Sequence, residues 1–180
     1  RKPVEEVERE LGISNAIKLA SNENPLGCSD KVVQRLTDVK NQLPIYPDAN
    51  AFYLKQALSN KLNVSTSSIT IGNGSNDLLD IIARCFLEKG REAIFSEYAF
   101  LVYPLVTQAC GAKSVVTPAQ GRNSDQPYGH ELNAMLEAIC EDTALIFIAN
   151  PNNPTGTWLK KAELYAFIKQ VPEHVAIVID

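Results

Sequence analysis

Residues 71–77, with the sequence IGNGSND, have the composition of a phosphate-binding loop. They stand between a short apolar run and the start of a helical pattern. Glycine lets a backbone approach a ligand closely, and a helix amino terminus presents free N–H groups with a partial positive charge. Ser75 adds a hydroxyl group to these donors. Taken alone, the same residues are equally typical of a tight turn that is capped by Ser or Asn and binds nothing.

Residues 149–156, with the sequence ANPNNPTG, form a second candidate binding loop at the end of the apolar run LIFIA. The two prolines hold an irregular backbone, and the three asparagine amides direct hydrogen-bonding groups toward one place. A turn without a ligand is the alternative, because Asn-Pro and Thr-Gly are common in ordinary turns.

Asp180 is a third candidate, because it is a charged residue at the end of the apolar run VAIVI. A carboxylate at the end of a buried strand is unfavourable unless it meets a cation or a strong hydrogen-bond donor. Such a partner indicates a functional role, and capping of a following helix is the alternative.

Aromatic rings also follow one of the apolar runs. Phe100 and Tyr103, within EYAFLVYP, could cover a flat ligand, although core packing is the commoner role of such rings. The segment SNENP at residues 21–25 and the pair Tyr46-Pro47 are similarly unspecific when each is taken alone.

The elements that must position these loops alternate regularly from residue 51 onward. We predict helices over residues 51–62, 76–87, 100–110, 130–140 and 160–170, and strands over residues 69–71, 93–96, 113–117, 144–149 and 175–179. LIFIA and VAIVI are apolar on both faces, as strands of a parallel sheet with helices on both sides must be. We therefore predict an α/β fold in three layers, with an open, mainly parallel sheet whose binding loops gather at the carboxyl ends of the strands.

The first 45 residues have weaker patterns. We predict a helix over residues 4–11 that stops at Gly12, an extended arm and loop over residues 13–30, and a helix over residues 31–39 after an Asp30 cap. A connector rich in proline follows, with the sequence QLPIYPDAN.

Composition excludes several classes of protein. The 180 residues are 45% hydrophobic and 21% charged, which is typical of a globular chain. The net charge of -4 and the lack of a Lys/Arg cluster argue against a nucleic-acid partner. No apolar run reaches membrane-spanning length, and the charged first residues lack the apolar core of a signal peptide. Arg at position 1 and an apolar run ending at Asp180 lead us to expect that both ends are cut.

The four cysteines stand far apart without a CxxC pair, and the chain has only two histidines. Neither a metal site nor a redox pair is therefore predicted. We expect reduced, buried thiols and a cytoplasmic location.

Taken together and in this order, the motifs resemble the large domain of fold type I pyridoxal-phosphate enzymes. NPNNPTG is the most specific of them, and KLASNENPLG, IYPD and EYAFLVYP narrow the resemblance to the histidinol-phosphate aminotransferases. It covers essentially all 180 residues. The resemblance implies pyridoxal 5'-phosphate as cofactor, a homodimer, and amino transfer between L-histidinol phosphate and 2-oxoglutarate in histidine biosynthesis. Charge, hydropathy and the cysteines separately lead us to expect a cytoplasmic protein with no nucleic-acid or membrane partner.

The resemblance also implies roles for single residues. Gly74, Ser75 and Asn76 would hold the cofactor phosphate at a helix amino terminus, and Tyr46 would reach the phosphate in the neighbouring subunit. Phe100 would stack on the pyridine ring, at a place where many relatives have Tyr.

The remaining implied contacts are polar. Asn153 would bond the phenolic oxygen of the cofactor, and Asn24 would line the substrate side. Asp180 would pair with the pyridine nitrogen and keep it protonated, so that the ring can accept electrons from the reacting carbon.

Two parts of the family's site have no counterpart in this sequence. The lysine that forms the Schiff base, and the arginines that help to bind phosphate and substrate, would lie beyond residue 180, and no lysine present stands in a matching motif. We expect residues 1–45 to form an arm that contributes to a small domain and a dimer contact, and residues 46–180 to form an incomplete cofactor-binding domain. Alone, this chain is expected to be inactive.

Three other classes of protein must be weighed against this resemblance: related enzymes of the same fold, dinucleotide-binding or Walker A proteins, and noncatalytic interaction modules. An aromatic-amino-acid aminotransferase or a threonine-phosphate decarboxylase would share these loops, because the loops bind the cofactor. A dinucleotide-binding dehydrogenase domain would need a third glycine where Asp77 stands, and a Walker A loop would need GK[ST]. A noncatalytic interaction module would have no use for the cofactor loops.

Overall fold

The computed structural model describes residues 2–180, which form two compact units divided between Phe52 and Tyr53. This division lies beyond the expected one at residue 45, and the assignment of residues 1–45 to an arm and a dimer contact stays a prediction. The first unit contains α1 (Val4–Leu11), α2 (Asp30–Val39) and a 3₁₀ helix at Lys40–Gln42. α3 (Phe52–Leu62) begins at the last residue of this unit.

The first unit agrees with the predicted pattern except at one cap. α1 ends at Gly12, which has the left-handed φ of 64° that glycine adopts without strain. The predicted Asp30 cap is wrong, because Asp30 lies inside α2 and the hydroxyl of Ser29 accepts a hydrogen bond from the N–H of Lys31. No described residue up to Phe52 is buried, so this unit has little core of its own.

The second unit is built on a four-stranded parallel sheet. Its strands are β1 (Glu92–Ser96), β2 (Lys113–Thr117), β3 (Thr143–Ile148) and β4 (Ala176–Ile179), in the spatial order β2-β1-β3-β4. β1 and β3 are buried throughout, and the two outer strands are more exposed. The predicted parallel α/β class is confirmed.

Helices cover both faces of the sheet. α4 (Ser75–Phe86) and α5 (Val102–Ala109) pack on the face that contains the side chains of Phe95, Leu145 and Phe147. α6 (Leu132–Glu137) and α7 (Lys161–Ile168) pack on the face that contains Ile94, Ile146 and Ile148. Successive side chains of a strand point to opposite faces, and this alternation divides the core into two layers.

Three other predictions are corrected by the structure. Residues 69–71 form no strand in the described part of the chain. Ile69 has extended backbone angles, and its N–H donates to the carbonyl oxygen of Thr66 in a 3₁₀ turn over Thr66–Ser68. His130 precedes α6 instead of starting it, because it pairs with Ala119 in an isolated antiparallel bridge. The four cysteines are free, but none of them is buried.

The topology places the amino terminus of α4 near the carboxyl ends of the strands. Only residues 87–91 join α4 to the start of β1, and α4 packs against β3 and α5. Its last turn therefore lies at the amino edge of the sheet and its first turn at the carboxyl edge. Among residues 2–180, no helix is both long and apolar enough to cross a membrane.

Candidate functional site

Asp180 continues the ladder between β3 and β4 by one residue. Its N–H donates to the carbonyl oxygen of Ile148 and its own carbonyl accepts from the N–H of Asn150, both at 2.9 Å. Alternation along β4 places its side chain on the same face as Val178, which packs with α4 and α5. The sheet therefore sets the position of the Asp180 backbone and the face on which its side chain lies.

The hydroxyl of Tyr103 donates a hydrogen bond to Asp180 Oδ2 at 3.0 Å. Tyr103 is fully buried, and its ring lies parallel to that of Phe147, with centroids 4.7 Å apart. Burial, followed by the charge and the hydrogen bond of Asp180, raises the pKa of Tyr103 well above its ordinary value. The phenol stays protonated and can only donate to the carboxylate.

The asparagine-rich loop after β3 is held by its own side chains. Asn150 Oδ1 accepts from the N–H of Leu159 at 2.8 Å, and Asn150 Nδ2 donates to the Leu159 carbonyl at 3.3 Å. Asn152 Nδ2 donates to Thr155 Oγ1 at 2.7 Å and to the carbonyl oxygen of Tyr98 at 3.1 Å. The loop is thereby tied to the segment after β1.

Two amide groups in this loop have unused hydrogen-bonding capacity. Asn152 Oδ1 is buried and has no partner among the described residues. The half-buried side chain of Asn153 makes no hydrogen bond within residues 2–180. Because the backbone around it is fixed, the Asn153 amide is a preorganised group for a ligand.

His130 supports the loop from the other face of the sheet. It is 3% exposed, and its Nε2 donates to the carbonyl oxygen of Ala149 at 2.8 Å. The carbonyl can only accept, so the proton is on Nε2, and Nδ1 has no partner among the described residues. Burial lowers the pKa of His130 despite the hydrogen bond to Ala149. Sequence patterns missed this contact, because it joins residues 19 positions apart.

The glycine-rich loop opens α4. Gly74 is the N-cap residue, with a φ of 82° that residues with a side chain rarely adopt. Apart from Gly74 and its two chain neighbours, no described residue has an atom within 4 Å of the position that a Cβ of Gly74 would occupy. Ser75 and Asn76 are exposed in the first turn, and Asp77 Oδ2 accepts from the N–H of Asn73 at 2.9 Å. This helix start has the space and the free donors that an anion requires.

Two aromatic side chains follow β1. Phe100 is partly buried against the core and meets Tyr103 edge-on, with centroids 5.9 Å apart and planes at 90°. Tyr98 is 41% exposed and packs edge-on against Tyr128 at 5.0 Å. Tyr98 was not among the predicted site residues, although it lies in the same EYAF motif as Phe100.

Asn24 and Tyr46 belong to the first unit. Asn24 closes a turn, in which its Nδ2 donates to the carbonyl of Gly27 at 2.7 Å and its Oδ1 accepts from the N–H of Leu26 at 3.0 Å. Tyr46 is 99% exposed. Their roles stay predictions.

The structure brings together most of the predicted site residues of the second unit. The start of α4, the segment after β1, the asparagine-rich loop and Asp180 all lie at the carboxyl edge of one sheet. A cavity of about 250 Å³ lies on the other side of the sheet and is bordered by His130, Leu136 and Phe167. None of the predicted site residues lines it. The edge can hold an anion at α4 and a positively charged donor at Asp180.

Comparison with known proteins identifies the group to which the chain is similar. The family model for aminotransferase class I and II matches residues 14–180. Histidinol-phosphate aminotransferase 2 of Pasteurella multocida is 52% identical over 179 residues, which are 99% of this chain and 47% of that protein. The chain spans about half the length of the curated relatives it matches.

Solved structures agree with this result. The chain superposes on histidinol-phosphate aminotransferase from Sinorhizobium meliloti, solved in complex with pyridoxal-5'-phosphate, with a TM-score of 0.90 and 27% identity, covering 100% of this chain and 48% of that one. An aromatic aminotransferase from Pyrococcus horikoshii has a TM-score of 0.81 and 21% identity over 97% of this chain and 48% of that one. The second likeness shows the fold alone.

Proposed function

The chain belongs to the class I and II aminotransferase family, and we propose that the whole protein binds pyridoxal 5'-phosphate and transfers the amino group between L-histidinol phosphate and 2-oxoglutarate. This reaction is a step of histidine biosynthesis. Identity of about half the residues to histidinol-phosphate aminotransferases supports the choice of substrate. The observation that carries the proposal is the carboxylate of Asp180, which is placed by the sheet at the same edge as the amino terminus of α4.

The residues at this edge fit the cofactor. The space around Gly74 admits a phosphate group against the first turn of α4, where Ser75 and Asn76 are exposed. Asn153 has a free amide for the phenolic oxygen, and one oxygen of Asp180 has no partner among the described residues. Phe100 is assigned to the face of the ring, and Tyr98 offers a second aromatic ring in the same segment.

The bound cofactor supplies a protonated ring that accepts electrons from the reacting carbon. Asp180 maintains the proton on the ring nitrogen, because an anion within hydrogen-bond distance favours the charged form of its partner. The first turn of α4 binds the phosphate through N–H groups and the helix dipole, which fixes one end of the cofactor. Asn153 then sets the rotation of the ring relative to the asparagine-rich loop.

We also propose a cytoplasmic homodimer, in which Tyr46 reaches the phosphate of the neighbouring subunit and Asn24 lines the substrate side. The near-complete exposure of Tyr46 and the absence of buried residues among residues 2–52 support this proposal. Sedimentation of the whole protein tests it. A fully active monomer would contradict both the dimer and the role of Tyr46.

The activity is tested with the whole protein and pyridoxal phosphate. Amino transfer to 2-oxoglutarate is measured as glutamate formed from L-histidinol phosphate and from phenylalanine, and carbon dioxide release is measured from threonine phosphate. We expect the highest kcat/KM with L-histidinol phosphate. A preference for phenylalanine, or decarboxylation of threonine phosphate, would assign the protein to a neighbouring activity in the same fold.

A further inference from the structure

We propose that Tyr103 is a positioning residue, which holds Asp180 Oδ2 so that Oδ1 is presented to the ring nitrogen of the cofactor. This inference rests on the proposed function, because it gives a purpose to the hydroxyl only if Asp180 meets that nitrogen. It adds a residue of α5 to a site otherwise formed by the first turn of α4, the end of β4 and the loops at the carboxyl edge of the sheet.

The ring of Tyr103 has little freedom to move. It is fully buried between sheet and helix, and it stacks on Phe147 with an angle of 6° between the ring planes. Phe100 and Phe95 contact it at tilted or edge-on angles, with centroids 5.9 and 6.3 Å away. The phenolic oxygen is therefore a fixed point in the structure.

The side chain of Asp180, unlike that of Tyr103, is not held by surrounding core residues, because Asp180 is exposed at the end of β4. The sheet fixes its backbone through two hydrogen bonds, but a backbone position leaves rotation about χ1 and χ2 open. Among residues 2–180, Tyr103 makes the only hydrogen bond to the carboxylate. The 3.0 Å contact thus selects one orientation of an otherwise mobile group.

The contact also has a fixed direction. Burial and the neighbouring carboxylate raise the pKa of Tyr103, so the phenol remains a donor at neutral pH. The carboxylate is then oriented before the cofactor arrives, which reduces the ordering required on binding.

The test uses Tyr103→Phe in the whole protein, because this change removes the hydroxyl and keeps the ring that packs in the core. The dissociation constant of pyridoxal phosphate is measured by titration of the apoprotein. We expect an increase of about tenfold to a hundredfold, as for loss of a hydrogen bond to a charged group. Thr107→Val is the matched control, since Thr107 has a fully buried hydroxyl on the same helix, and among the described residues this hydroxyl bonds only the carbonyl of Tyr103.

A double replacement separates positioning from packing. If Tyr103 acts through Asp180, Tyr103→Phe should have no further effect on the dissociation constant in an Asp180→Ala background. A purely structural role would weaken binding equally in both backgrounds. The ¹⁵N chemical shift of the ring nitrogen of labelled cofactor supplies a second readout, and we expect Tyr103→Phe to move it toward the unprotonated value at alkaline pH.

Each outcome decides between the proposals. If the wild-type protein does not bind pyridoxal phosphate, the proposed function is wrong and the role of Tyr103 is lost with it. If the wild type binds the cofactor but Tyr103→Phe changes neither the dissociation constant nor the ¹⁵N shift, only the role of Tyr103 is overturned. Melting temperatures of the apoproteins report folding, and a loss for Tyr103→Phe no greater than that for Thr107→Val is expected.

Discussion

His130 Nε2 donates a hydrogen bond to the carbonyl oxygen of Ala149, at 2.8 Å, and so joins a segment outside the sheet to the residue that precedes the asparagine-rich loop. The imidazole is buried, and burial lowers its pKa below the ordinary value of 6.5. The unfolded chain therefore takes up this proton at a higher pH than the folded chain does. The contribution to stability is complete above pH 6.5 and is lost as the pH falls from there through the folded-state pKa.

Replacement of His130 by Gln should remove this acid-sensitive component. The melting temperature of the wild type should fall as the pH drops below 6.5, and that of the variant should fall less steeply, although it starts lower. His174 is the other histidine and is exposed, so His174→Gln should retain the wild-type pH dependence. Identical pH profiles for wild type and His130→Gln would contradict the prediction.

Glu92 is a buried carboxylate at the amino edge of the sheet, opposite the candidate site. Lys113 Nζ donates to it at 3.0 Å, and Cys140 Sγ and Thr143 Oγ1 donate at 3.1 Å. Burial raises the pKa of Glu92, but these hydrogen bonds and the charge of Lys113 together lower it by more, so the net pKa lies below the ordinary 4.5. This stability is present above pH 4.5 and is lost as the pH falls through the folded-state value.

Thr143→Val should destabilise the second unit by about 1–3 kcal/mol, because it removes a buried donor to Glu92 and leaves the N–H of Cys140 unpaired. Lys113→Met should have a much smaller effect, since the lysine side chain is 74% exposed and water can replace it. The midpoint of urea unfolding at neutral pH measures both. A loss for Lys113→Met as large as that for Thr143→Val would be inconsistent with this view of the cluster.

Gly74→Ala should weaken cofactor binding and lower stability by about 1–3 kcal/mol, because a side chain strains the backbone at a φ of 82°. Gly121→Ala is the matched control. Gly121 also has open space around its Cβ position but has no positive φ, so its replacement should leave both properties unchanged. Thermal unfolding and titration with pyridoxal phosphate measure the two effects, and equal behaviour of the two variants would refute the strain argument.

Two asparagines of one loop should respond differently to replacement by Ala. Asn150→Ala should lower the melting temperature, because its side chain makes two hydrogen bonds to the backbone of Leu159. Asn153→Ala should leave the melting temperature of the apoprotein unchanged and weaken cofactor binding, because its amide bonds no described residue. A destabilised Asn153→Ala apoprotein would indicate a structural role instead.

Phe100→Leu should weaken cofactor binding by roughly two- to tenfold, the range expected for loss of one aromatic contact. Tyr98→Leu makes the same kind of change on the more exposed ring of the segment. If Tyr98→Leu raises the dissociation constant of pyridoxal phosphate and Phe100→Leu does not, then Tyr98 and not Phe100 is the residue that stacks on the cofactor ring.

Much of this fold was predictable from local pattern. LIFIA and VAIVI are apolar on both faces, which restricts them to the interior of a sheet covered on both sides, and β3 and β4 are such strands. Strand prediction failed at residues 69–71, because an apolar triplet carries no information about whether a neighbouring strand exists to pair with it. The cap of α2 was misplaced by one residue, since Ser29 and Asp30 are both good caps.

The sequence by itself determined which loops are candidates for a binding site, because NPNNPTG, the glycine-rich loop and the Asp that follows VAIVI are local features. Only the tertiary structure decided that Tyr103 and Asp180, 77 positions apart, share a hydrogen bond. A strand that is apolar on both faces gives no sign of which face its next side chain will occupy. The pairing of β4 with β3 and the packing of α5 on the sheet decide on which face the Asp180 side chain lies. Both depend on contacts between distant parts of the chain.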